Sequence, residues 1–311
     1  MHAINGERKP NKPSLIVINT QQDKSAQSTK VVDLIRTRTR TKERFYSIEV
    51  SHSGSLLLNF NDFLVQPLFT SVTWFRDNLE AENDSVEPSV RLMNAIKSTP
   101  TLLHLTCYQL TEEKIEKLLK MKLTNVLALR GDEVTPNPIF RHSIDLVRRI
   151  KHTSGNTSLA VAGYPEQHPE SISMEMDLKY LRDKVDAGAD FIITQTCFSS
   201  AKIKEFIRNC RDVGIRVAIV PGIFVPSTFN SLLAMCRICK IRVPTEEFQM
   251  YKMLKDDSKT FQHYAVQSTV RLLNDLLHKD DDEAAAAVGV HFFTLNNFAM
   301  IHRVIANFDF K

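Results

Sequence analysis

The chain is read as an α/β protein folded as a (β/α)8 TIM barrel, and three observations carry that reading. Eight short apolar runs bounded by turn residues recur along the body of the chain, segments of helical period separate most of them, and the runs are apolar throughout rather than alternating. Runs of that last kind belong to parallel strands buried on both faces, and parallel strands need crossover helices between them. Eight such units close a barrel, with an open doubly wound sheet as the alternative.

The expected strands are, in order, Phe45–Val50, Leu68–Thr73, Leu102–Leu105, Val126–Leu129, Leu159–Ala162, Phe191–Thr194, Val217–Val220 and Val290–Thr294. Between them, Ile115, Leu118 and Leu119 form one helical stripe, Leu178, Leu181 and Val185 another, and Ile203, Phe206 and Ile207 a third. The long interval from Thr228 to Gly289 reads as an insertion of two or three helices, including Phe261–Leu277, and Asp280–Ala287 reads as a polar connector. Residues 1–40 are expected to be a flexible basic N-terminal arm ending in a short helix near Val31–Ile35, and residues 41–311 the barrel.

Composition narrows the function classes. Of 311 residues, 43% are hydrophobic and 24% charged, the ordinary globular mix, which excludes a mainly disordered or collagenous chain. Nine glycines never fall in a Gly-x-Gly-x-x-Gly or P-loop pattern, so any nucleotide cofactor is held without a glycine-rich turn. The net charge of +4 is unevenly spread: residues 1–44 hold ten Lys/Arg against four Asp/Glu, leaving the rest at −2. A slightly acidic body argues against a nucleic-acid face on the barrel, although Arg36, Arg38, Arg40, Lys42 and Arg44 can touch RNA or another acidic surface. Five scattered cysteines suit free thiols in a reducing compartment, and no apolar run approaches the roughly 18 residues of a membrane span. A cytoplasmic protein that does not bind membranes is therefore expected. No metal site is expected, and homo-oligomerisation stays open.

Barrel chemistry sits at the carboxyl ends of the strands. Those ends carry Glu49, Thr73 with Trp74, His104, Arg130-Gly131-Asp132, Gly163 with Tyr164, Thr194 with Gln195, and Thr294 with Asn296. One acid, a Trp, a His, an Arg-Gly-Asp and a Gln are more than capping turns supply, and they point to one shared ligand site.

The same stretches carry a resemblance. LLHLTCYQLTEEKIEKLLKMKLTNVLALRGD at 102–132, VAGYPEQHPES at 161–171, DLKYLRDKVDAGADFIITQ at 177–195, VPGIF at 220–224 and HFFTLN at 291–296 resemble the methylenetetrahydrofolate reductase family, collinearly from about Tyr46 onward. The resemblance implies a FAD-binding catalytic barrel, here without the family's C-terminal regulatory domain. The implied reaction reduces 5,10-methylenetetrahydrofolate to 5-methyltetrahydrofolate for methionine synthesis, with NAD(P)H as hydride donor.

By the same resemblance, Glu49 is the general acid that protonates folate N10, so that the ring opens to an iminium able to accept hydride. This task requires a carboxyl group with a raised pKa. Asp132 is placed near flavin and pterin as a second catalytic group that stabilises positive charge. Thr73, Trp74, His104, Arg130, Gly131, Asp132, Tyr164, His168, Pro169, Glu170, Ser171, Asp177 and Lys184 are implied to hold the FAD, and Asp132, Gln195 and Phe293 to contact the folate. Three places differ from the family pattern: Val50-Ser51-His52-Ser53 stands for Phe-Phe-Pro-Pro, His142-Ser143 for Tyr-Ala, and Phe293 and Asn297 for Tyr and Arg. Those changes leave a second expectation, a non-catalytic flavin-binding relative that serves as a binding or scaffold protein.

Overall fold

The computed structural model describes residues 16–19, 26–51, 56–73, 87–108, 110–121, 123–131, 139–277 and 287–310. Eight parallel strands close a barrel: β2 (Phe45–Val50), β4 (Thr70–Val72), β5 (Thr101–Thr106), β6 (Asn125–Leu129), β7 (Ser158–Gly163), β8 (Phe191–Thr196), β9 (Ala218–Phe224) and β10 (Gly289–Phe293), the last pairing with both β9 and β2. Each coincides with one of the eight apolar runs. β1 (Ile16–Asn19) and β3 (Leu56–Asn59) pair in parallel beside the barrel, a feature with no counterpart among the expected elements. Among the described residues no α-helix joins β2 to β4; β3 and a short 3-10 turn at Phe60–Asp62 take its place. Tyr46 fastens that substitute through a hydroxyl hydrogen bond to the Val65 carbonyl.

Helices follow the remaining strands: α2 (Glu87–Ala95), α3 (Glu112–Lys120), α4 (Ser143–Thr153), α5 (Met174–Asp186), α6 (Ser200–Asp212) and, after β10, α10 (Phe298–Ile305). The insertion between β9 and β10 holds α7 (Phe229–Cys239), α8 (Thr245–Met253) and α9 (Ser258–Leu277). Their starts are chemically marked, because Thr111, Ser173, Ser199 and Thr228 each accept a hydrogen bond from a backbone amide of the first turn. The connector at 280–287 lies outside the described residues, apart from Ala287.

Two cores result. One fills the space between the strands and the outer helices and takes Ile48, Val72, Leu103, Val126, Val161 and Ile192. The other lies inside the barrel and takes the alternate residues Phe45, Phe69, Leu102, Leu127, Ala160, Phe191 and Val220. Helix α1 (Val31–Thr41) plugs the base of this inner core with buried Val31, Val32 and Ile35.

The expected arm is thus bound over this stretch, and the helix runs to eleven residues rather than a single turn. Lys30 contributes no side-chain cap to it. The exposed amides are satisfied by the barrel instead: Val31 N donates to Asn125 Oδ1 at 2.7 Å and Val32 N to Ser158 Oγ at 3.2 Å. Asn125 also donates to the carbonyls of Thr29 and Thr101, tying helix, linker and two strands together.

Candidate active site

Period-two alternation continues the inner layers upward from the apolar base, and the layers become polar toward the carboxyl ends of the strands. Above Phe45, Phe69 and Leu102 come Ser47, Ser71 and His104, joined by His291 from β10; above these come Glu49 and Thr73. His291 ties its layer together, with Nδ1 2.8 Å from Ser47 Oγ and Nε2 3.1 Å from Ser71 Oγ, and its ring stacks on Phe69. Burial holds it far below the usual histidine pKa, at about 3, so it is a neutral structural ring. The polar middle layer of Ser47, Ser71 and His291 is absent from the residues expected at the strand ends. Counting back two residues from Glu49 and from Thr73 finds the two serines.

Glu49 is buried, and desolvation raises its carboxyl from 4.5 to about 8. The strand end that carries it is fixed from β10, since Thr294 Oγ1 donates to the Glu49 carbonyl at 2.6 Å. The loop that follows is clamped at Ser51, whose amide donates to Asn296 Oδ1 and whose carbonyl accepts from Asn296 Nδ2. Asn296 has φ +60, a left-handed conformation that asparagine tolerates better than most residues. His52 and Ser53 lie outside the described residues, as do Trp74 and Asp132.

His104 was expected at a strand end but sits two residues inside β5. Burial lowers it to about 4, and its Nε2 is buried without a hydrogen-bond partner. An orphaned polar atom of this kind is costly unless a ligand meets it. Thr73 caps the same rim, its amide bonded to the Val50 carbonyl at 2.9 Å. Gly131, at φ +95, turns the chain after β6 in a conformation that strains an L side chain.

The loop after β7 is folded tightly on itself. Gln167, at φ +68, closes a turn on the Tyr164 carbonyl, the Tyr164 ring meets the His168 ring edge-on at 4.6 Å, and Ser171 N bonds the His168 carbonyl. Asp177 on α5 accepts the His168 amide at 2.9 Å, and burial raises its carboxyl pKa. Lys184, two turns further along the same helix, donates to the Ala162 carbonyl at 2.8 Å, and burial lowers it to about 8. The two are electrostatic neighbours but form no direct ion pair. The cluster therefore offers a partly desolvated cation beside a histidine, which suits a phosphate-bearing ligand.

Arg130 is engaged differently from the sequence expectation. Its guanidinium forms a bidentate pair with Glu170 at 2.5 and 2.9 Å, so two residues assigned separately to a cofactor hold each other. Pro169 lies between His168 and Glu170 in the same loop. Across the mouth, Gln195 spends its side-chain oxygen on the Thr196 amide at 2.9 Å, which leaves its NH2 as the group to present. The half-buried Phe293 packs over Gly222 and edge-on to His291. A Cβ at Gly222 would overlap the Thr194 carbonyl and the Phe293 ring, so glycine is required where β9 passes the irregular end of β8.

Two described groups fit a flavin dinucleotide: an orphaned histidine nitrogen in the lumen and a desolvated lysine beside the β7 loop. The sequence model of the family described as methylenetetrahydrofolate reductase matches residues 31–309. The chain belongs to that family. It is 32% identical to methylenetetrahydrofolate reductase (NADH) 1 of Arabidopsis thaliana over 86% of its own length and 48% of the plant protein. It is 30% identical to the probable methylenetetrahydrofolate reductase (NADPH) of Caenorhabditis elegans over 76% of its own length and 37% of the nematode protein. It thus spans half or less of either relative. The 5,10-methylenetetrahydrofolate reductase of Buchnera aphidicola is matched at 29% identity over 78% of this chain and 81% of the bacterial protein. Among solved structures, an uncharacterised Clostridium thermocellum protein that binds two copies of 5-methyl-5,6,7,8-tetrahydrofolic acid superimposes with a TM-score of 0.62 over 88% of this chain and 96% of its own. At 11% identity that likeness shows the fold alone.

Among the described residues no helix is long and apolar enough to cross a membrane.

Proposed function

We propose that this protein reduces 5,10-methylenetetrahydrofolate to 5-methyltetrahydrofolate, with FAD as bound cofactor and NAD(P)H as reductant, in support of methionine synthesis in the cytoplasm. The observation that carries the reading is the buried carboxyl of Glu49 at the strand end facing the mouth, raised to about 8 and so mostly protonated at neutral pH. A protonated acid there can give its proton to folate N10, open the five-membered ring and leave a cationic iminium carbon. FAD, when bound, supplies the hydride for that carbon. His104, Thr73, Gly131 and Tyr164 are the described groups that would line its ring and ribose, and His168, Ser171, Asp177 and Lys184 those that would hold its polar length. Glu170 with Arg130 forms the outer wall, and their pair has to open or share if Arg130 is to meet a phosphate. Gln195 would orient the pterin through its free NH2, with Phe293 as its apolar partner. Trp74 and Asp132 complete the proposed set, Asp132 as the charge that would stabilise the iminium.

The test is the visible spectrum of the purified protein. A flavin band that bleaches anaerobically with NAD(P)H and returns with methylenetetrahydrofolate is the expected result. A colourless protein that FAD fails to reconstitute refutes the proposal. A flavin that binds and bleaches but never returns with folate favours the second reading, a non-catalytic relative, for which the substituted acid loop at 50–53 and Asn297 in place of the family's Arg already speak.

A further inference from the structure

A cavity of about 580 Å³ opens at the base of the barrel, the end away from Glu49, between α1, the close of α6 and the starts of β9 and β10. That volume is in the range of small-ligand sites. The partly exposed Val185, Val217, Ala218 and Val288 give the cavity an apolar floor, beside the buried Val32, Ile35, Phe45 and Val220. Its walls are cationic: Arg36 and Arg40 stand on α1, and Arg211 and Arg216 on the end of α6 and the turn beyond it.

Among the described residues, the nearby carboxylates leave most of this charge unanswered. Asp33 reaches Arg36 only at an exposed 3.4 Å, and Asp190, which lines the cavity, is already taken by Lys151 Nζ at 2.9 Å and the Leu159 amide at 2.8 Å. Arg211 donates to the carbonyls of Ile215 and Val217 and Arg216 to the Arg211 carbonyl, with no carboxylate against either among the described residues. Burial lowers its pKa, and the like charge of Arg216 lowers it further. Arg40 has no hydrogen bond or ion pair among the described residues. Four guanidinium groups around one apolar-floored cavity repel one another unless an anion joins them. Arginines on both walls suit the several oxygens of a tetrahedral dianion better than the two coplanar oxygens of one carboxylate.

We propose that this cavity is a second ligand site, which binds a small organic phosphate with its ring or chain on Val185, Val217, Ala218 and Val288 and its oxygens on the four arginines. The ligand bridges α1 to the barrel, so its binding stabilises the docked helix without touching the mouth.

Phenyl phosphate is the probe, titrated calorimetrically into the full chain at low salt with FAD in excess, so that phosphate-binding groups at the mouth are occupied. One site is expected, tighter for phenyl phosphate than for inorganic phosphate. Raising the salt should weaken it. The double variant Arg36→Gln/Arg40→Gln should weaken it at least about tenfold, since each charged hydrogen bond removed is worth a comparable factor. Both side chains are exposed, so the fold should tolerate the change; if the double variant fails to fold, Arg216→Gln, also exposed, replaces it with the same expectation. Absence of binding in the wild type, or binding unchanged in the variant, overturns the proposal. Equal affinity for inorganic phosphate overturns the role given to the apolar floor.

Discussion

Replacing Glu49 by Gln tests the site through stability, independently of turnover. Glutamine keeps the shape and removes the titration. Folding raises the Glu49 carboxyl from 4.5 to about 8 because burial penalises the charged form. A raised acid contributes nothing adverse below pH 4.5, where it is neutral in both states. As pH climbs from 4.5 to 8 the unfolded chain ionises and the folded chain does not, so stability falls through that window and levels off above it. At about 1.4 kcal/mol per pKa unit the full cost is up to about 5 kcal/mol, an upper limit because water entering the lumen solvates the carboxylate. From the same two values, the advantage of the Gln variant over the wild type should grow by about 3 kcal/mol between pH 5.5 and pH 8.5. Urea unfolding of both proteins without cofactor at the two pH values measures it. A gap that stays constant across this range would show that Glu49 is solvated and ionised at neutral pH, and would remove the physical basis for its role as the acid.

Two further substitutions probe how the barrel holds the site. Gly222→Ala should destabilise the protein by at least about 2–3 kcal/mol, because the new methyl meets the Thr194 carbonyl and the Phe293 ring; an unchanged urea midpoint would mean that the end of β8 yields freely. Asn125→Ala should cost about 1–3 kcal/mol and speed amide exchange at Val31 and through α1, since that one side chain bonds Val31, Thr29 and Thr101. Exchange in α1 that matches the wild type would show that burial of Val31, Val32 and Ile35 suffices to dock the helix.

What the sequence determined by itself is the repeating unit. An apolar run such as Phe191–Thr196 must be buried on both faces, a stripe such as Ile203, Phe206 and Ile207 must cover it, and these local requirements, repeated eight times, leave few architectures open. The alternation inside each strand is equally local, so spacing along the chain alone puts Phe45, Ser47 and Glu49 in one file on one face of β2. The family motifs supplied the site assignments as expectations, and of those residues Trp74 and Asp132 lie outside the described residues.

Only closure of the barrel decided which of these groups meet. Asn296 clamps Ser51 across 245 residues, His291 joins serines from β2 and β4 at the far end of the chain, and Arg130 finds Glu170 forty residues on. None of these partners has a sequence signal, because hydrogen bonds and ion pairs act over a few ångströms and depend on strand register rather than spacing along the chain. The same holds for desolvation. Any glutamate in a strand has the composition of Glu49, but a pKa near 8 arises only when the neighbouring strands remove water from around it. Helix α1 is the clearest case: its weak local pattern reads as the short helical end of an arm, and it becomes the floor of the barrel because Asn125 and Ser158 supply from other elements the caps its own sequence lacks.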